Sequence, residues 1–202
     1  MGVDWPELTV DQLDWHWNYQ LRPRLVGLSD HEYLWEPVAA CWSVRVAQTS
    51  TSVPLWGSGP FRMEQAEGDP DPAPVTTIAW RMAHITVEVF GERVHSHFGG
   101  PAVTLDDFAF AGTADEALAQ LDAAHAAWSE GARALGTEGM ARPCGPAEGP
   151  FAAMPLAGLV LHINRELIHH GAEIALLRDL YLHQPNQPSP TGSTPGVRPK
   201  GS

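Results

Sequence analysis

Apolar side chains recur at helical spacing in four long stretches of this chain. The most regular runs from Leu156 to Tyr181, where Leu156, Val160, Ile163, Leu167, Ile174, Leu177 and Tyr181 share one seam. His170 fills the only polar place on that seam. An earlier stretch, opened by Pro74 and the Thr76–Thr77 pair, runs to about Phe98 and ends at Gly99-Gly100-Pro101. It carries two stripes, one through Val75, Ile78, Met82, Ile85 and Val89, the other through Trp80, Ala83, Val87, Phe90 and Val94. A helix apolar over so much of its surface is predicted to be largely buried. Near the start, Thr9-x-x-Gln12 reads as a capping box, followed by Val10, Leu13, Trp17, Leu21, Leu25 and Leu28. Pro23 inside this stripe is expected to kink the helix or shift a turn. Ser29-x-x-Glu32 marks a short helix, and Thr113-x-x-Glu116 opens a long one through Leu118, Leu121, His125, Trp128, Ala132 and Leu135.

Between these stretches the periodicity dissolves. Glu36–Pro74 is rich in Gly, Pro and Asp and reads as loop, with CWSVRV as a possible short strand. Gly136–Pro155 reads as a second long loop. Four long helices without a convincing sheet predict an all-α, four-helix bundle, with connections long enough for crossovers. Residues 1–183 then form a single domain, and the Pro/Gly/Ser-rich stretch 184–202 is expected to be disordered.

Composition narrows the function. A net charge of −12 argues against a general binder of nucleic acid or anionic membrane. The opening MGVDWPELTV has no basic start and no apolar run, and no window is long and apolar enough for a membrane span, so the cytoplasm is the default expectation. Two cysteines, Cys41 and Cys144, make no disulfide framework, and Cys41 reads as a buried small hydrophobe.

The chemistry lies in the seam. An imidazole on a core stripe needs a partner, since an unpaired buried polar group costs roughly 1–3 kcal/mol. Glu166 stands one turn before His170 and Glu173 about one turn after. Glu166 and His170 can grip one ion from a single helix face, and a histidine from a facing helix completes a three-ligand set with positions left for substrate. The facing helices offer His84, with Glu88 one turn on, and His125; His162, one turn before Glu166, is a spare ligand. Glu88, His125 or Glu173 can hold a ligand's second ring nitrogen. Against this, Glu166 could simply pair with Arg165 or Arg178. His95, His97, His169 and His183 read as surface groups. Two imidazoles and a carboxylate suit Zn²⁺, Ni²⁺, Fe²⁺ or Mn²⁺. No phosphate loop, dinucleotide fingerprint or nucleophile elbow appears, and no catalytic group beyond the ligands is assigned.

Three blocks resemble the DinB/YfiT-like superfamily, in particular its actinobacterial, mycothiol-dependent members. LSDHEYLWEPVAACWSVR is similar to the block that follows the family's first helix, WRMAHITVEVFGERV to its second helix, and INRELIHHGAEIALLRDL to its last. The resemblance spans roughly residues 8–182. It sets the family's ligand histidine on His84 and the pair of its last helix on Glu166 and His170, with Glu166 in place of the commoner histidine. The resemblance implies an up-down-down-up four-helix bundle, a divalent metal and homodimerisation. It implies a thiol S-transferase that activates mycothiol or a similar small thiol as a metal-bound thiolate for attack on an electrophile. Other expectations for the same ligand set are a metal hydrolase or a non-haem iron oxygenase. A polar seam that only fixes helix register, in a non-catalytic interaction or stress protein, is a third.

Overall fold

The computed structural model describes residues 4–184, and its first helix opens one turn earlier than Thr9. Asp4 is the cap, accepting from the Glu7 amide at 3.1 Å, and Pro6 occupies the first turn, where a missing N–H costs nothing. The Thr9 hydroxyl instead bonds back to the Trp5 carbonyl at 2.7 Å, so the expected capping box does not form. This helix, α1 (Trp5–His16), passes into a π-helical turn at Trp17–Leu21 and a 3-10 turn at Arg22–Leu25. Pro23 lies in the latter, which is the expected change of turn. Ser29 caps α2 (Asp30–Tyr33) by accepting from the Glu32 amide.

The second long helix is built from α3 (Ile78–His84), a π-helical segment Ile85–Gly91, and α4 (Glu92–Phe98). Thr77 caps it by accepting from the Trp80 amide, and Gly99 closes it in the left-handed conformation, φ 71°. Thr113 caps α5 (Ala114–Ala134), as expected. The last helix, α7 (Leu156–Leu182), has the predicted seam buried from Leu156 to Leu177.

Side-chain pairs fix the directions. Thr9 meets Asn164 and Arg24 meets Asp179, so α1 and α7 run parallel. Arg22 meets Asp122 while Arg133 meets Asp14, so α5 opposes α1. Arg81 meets Glu173, and Arg93 shares a cleft with His162, so the second helix opposes α7. The chain is therefore an up-down-down-up four-helix bundle. Its core holds Leu13, Ile85, Phe90, Leu121, Trp128, Ile163 and Leu167, all under 2% exposed.

Both expected loops contain structure. The first holds a small antiparallel sheet of β1 (Val44–Val46), β2 (Leu55–Trp56) and β3 (Phe61–Glu64), in the order β1-β3-β2. CWSVRV supplies β1; the other two strands are too short for alternation to register. The sheet is tied to α3 by Trp80 Nε1 donating to the Glu64 carbonyl at 2.7 Å and by the Ser43–Thr77 hydroxyl pair at 2.9 Å. The second loop holds α6 (Gly136–Ala141) and a 3-10 turn at Pro146–Phe151. The disorder expected for 184–202 falls, from residue 185 onward, outside the described residues. No helix among the described residues is long and apolar enough to cross a membrane.

Candidate metal centre

The seam of α7 carries His170 to the inner face of the bundle, where the antiparallel α3 delivers His84. The two rings meet edge to face with centroids 4.7 Å apart. His170 Nε2 lies 3.5 Å from Glu166 Oε2, one turn earlier on the same helix. One donor atom each from His84, Glu166 and His170 fall within 4.8 Å of one another. The helix changes to π-helical hydrogen bonding immediately after His84, a local widening common at functional sites.

Each imidazole is held from behind by a carboxylate. His84 Nδ1 is 2.7 Å from Glu88 Oε2, and His170 Nδ1 is 2.8 Å from Glu173 Oε2. A carboxylate can only accept, so each contact is satisfied by a proton on Nδ1, the tautomer that leaves Nε2 free for a ligand. The Arg81 guanidinium, 3.2 Å from His170 Nδ1, can only donate, and in this tautomer its partner is Glu173. Both acids stay ionised. Burial opposes the charge on Glu88, but the hydrogen bond and charge of His84, aided by Gln65 and Arg93, hold its pKa below the usual carboxylate range. For Glu173, burial is likewise outweighed by the His170 hydrogen bond and the charge of Arg81. Burial lowers the pKa of His170, with His84 and Arg81 adding to the effect against the pull of Glu173. The neutral ring is the form that ligates.

Three of these partners are not singled out by the sequence for this role. Gln65, just after β3, donates to Glu88 Oε1 at 3.0 Å and so links the small sheet to the back of His84. Trp80 stacks on His84 at 5.2 Å, 11° from parallel. Arg81 Nε sits 3.1 Å from Glu173 Oε2, an ion pair without the direction of a hydrogen bond. Arg81 was open to discovery, being the one charge in the otherwise apolar run Ile78–Ala83. Gln65 was not, since nothing in a loop marks one glutamine.

The remaining candidates separate. His162 Nδ1 lies 3.4 Å from Glu166 Oε1 and accepts from Arg165 at 2.9 Å, so it flanks the group without joining it. The structure removes His125 from the centre. It stacks on Trp17 at 4.1 Å and contacts Asp14 and Ser129 between α1 and α5. His125 lies at the edge of its stripe that meets α1, a rotation the periodicity of α5 alone does not specify. His97 is not a surface group: its side chain is 4% exposed and pairs with Glu148 at 2.9 Å. Glu166 pairs with neither Arg165 nor Arg178. A second cluster, His169, His170 and Glu173, also has its ligand atoms within 4.8 Å. However, His169 is 66% exposed and Glu173 is already committed to His170 Nδ1 and Arg81.

If Glu88 fixes the His84 tautomer, Glu88→Gln should weaken metal binding about 10–100-fold, the usual cost of removing such a partner. Competition with a chromophoric chelator measures this. An unchanged affinity would mean that His84 is oriented by Trp80 alone.

A scan of the sequence against family models matches the DinB superfamily over residues 12–174. Comparison with curated proteins and with solved structures returns no match.

Proposed function

The chain belongs to the DinB superfamily, and from that premise we propose that it is a divalent-metal-dependent thiol S-transferase in which His84, Glu166 and His170 hold the ion. The observation that carries this reading is the pair of imidazoles with Nδ1 tied back to Glu88 and Glu173, grouped with Glu166 so that one ligand atom of each residue lies within 4.8 Å of the others. The donor set fits a divalent ion. Tetrahedral bonds of about 2.0–2.2 Å place neighbouring donors about 3.4 Å apart, and His170 Nε2 and Glu166 Oε2 are 3.5 Å apart as they stand.

A divalent ion held there would lower the pKa of a bound thiol, which then reacts as the thiolate at neutral pH. The chain's own groups prepare the place. Glu166 supplies one negative charge beside the two rings, and its side chain, 29% exposed, marks the side open to solvent. Glu173 offsets the charge of Arg81, which would otherwise repel a cation. Trp80 covers the far face of His84 and excludes water from it.

The test is protein purified without chelator, its metal content measured by elemental analysis and its consumption of mycothiol followed with a bimane-type electrophile. The expected result is about one divalent ion per chain, thiol conjugation that stops on chelation and returns with metal, and a lower melting temperature without metal. Metal-loaded protein that consumes neither mycothiol, bacillithiol nor glutathione would exclude the transferase while leaving the centre in place.

A further inference from the structure

Beside the metal centre lies a cleft of about 300 Å³ between α4, α7 and the loop that carries the 3-10 turn Pro146–Phe151. It is at the low end of the size range of small-molecule sites. Its two characters are distinct. Leu159 is a buried apolar wall, while Phe151 and Met154 at the rim stay 62% and 41% exposed, more than large apolar side chains gain by remaining in water. The polar wall is cationic. The chain has only 12 lysines and arginines, and Arg93 and Arg165 both line this one cleft.

The arginines are not fully satisfied from within. Among the described residues Arg165 forms no ion pair, and its guanidinium donates only to His162 Nδ1, at 2.9 Å. Arg93 bonds the Glu88 carbonyl and reaches carboxylates only at long range, Glu92 at 3.6 Å and Glu148 at 3.7 Å. Glu148, the one acid lining the cleft, is engaged by His97. In a chain of net charge −12, Arg165 thus lines the cleft as a cation without an ion-pair partner among the described residues, while Arg93 is shared between Glu92 and Glu148. The cleft also adjoins the chemistry: His162 lines it, and the same ring touches Glu166.

We propose that this cleft binds a small carboxylic acid with a short apolar body, its carboxylate on Arg165 and Arg93 and its body against Leu159, Phe151 and Met154. Resting on the transferase reading, it is the subsite of the acceptor, since its walls suit an apolar electrophile and its lining residue His162 lies 3.4 Å from the proposed metal ligand Glu166. Arginine rather than lysine is the fitting residue, because its planar fork matches a carboxylate in two bonds.

Calorimetric titration of the full chain with phenylacetate and with its neutral analogue phenylacetamide tests the proposal without any turnover. Phenylacetate is expected to bind about tenfold or more tighter than the amide, and Arg165→Met to remove that advantage while leaving amide binding unchanged. Arg165 is exposed at the cleft mouth, so the variant should fold. His170→Ala should keep phenylacetate binding, which separates a failed subsite from a failed metal reading. Equal binding of acid and amide, or binding of neither, overturns the proposal. So does acid binding lost in His170→Ala and retained in Arg165→Met, since the acid would then sit at the metal centre.

Discussion

Replacing His170 by alanine is expected to abolish metal binding and, with it, thiol conjugation. The ring supplies one of three donors and is the only one on the buried seam, 9% exposed at its side chain. Its loss should weaken metal affinity by more than the about 10–100-fold expected when only a ligand's hydrogen-bond partner is removed. His170 belongs to both candidate clusters, so this variant alone does not say which holds the ion. His84→Ala and His169→Ala complete the experiment. Metal content per chain should collapse in His84→Ala and stay at the wild-type value in His169→Ala. The reverse pattern places the ion on the outer face of α7 and refutes the proposed centre. Folding is checked by circular dichroism in each case, since His170→Ala also leaves Glu173 with only Arg81 and the exposed His169 beside it.

The bundle was legible because its signals are local and repeated. The seam of α7 predicts its own burial, and Ser29, Thr77 and Thr113 announce helices by chemistry confined to a few residues. Thr9 shows the limit of such signals: Asp4 offers the same chemistry one turn earlier, and the chain used it together with Pro6. Half of the candidate centre was legible for the same reason, since Glu166, His170 and Glu173 are neighbours on one helix. The half contributed by α3 needed a direction and a rotation that no single stripe contains. Family resemblance chose His84 over His125; spacing on α5 could not, because the Trp17 ring that His125 stacks on comes from a helix more than 100 residues away in sequence. Gln65 and the partner of His97 were beyond reach, as both contacts start in stretches with no periodicity to read.

Glu32→Ala should produce the largest loss of stability among the polar substitutions considered. The second half of the apparent capping box does not form at Ser29, because the Glu32 carboxylate is given to Arg178 of α7. The pair is bidentate, with Arg178 Nε donating to Oε1 at 2.6 Å and Nη2 to Oε2 at 3.1 Å. The two side chains are 4% and 11% exposed. Nη1 of the same guanidinium donates to the carbonyls of Arg24 and Val26, so one arginine fastens α7 to both α2 and the turn after α1. Removing the acid strands a buried cation, at a cost of about 3–5 kcal/mol. Against a total of about 5–15 kcal/mol this is severe, and at about 2–4 °C per kcal/mol the melting temperature should fall by roughly 6–20 °C. Asp122→Ala is the control, because the Arg22–Asp122 pair has the same chemistry but is 32% and 42% exposed, where such pairs contribute about 1 kcal/mol or less. A double variant, Glu32→Leu with Arg178→Met, should recover part of the loss by replacing the pair with apolar volume. If Glu32→Ala melts no lower than Asp122→Ala, burial is not what gives this pair its weight, and the anchoring of α7 must rest on its apolar seam alone.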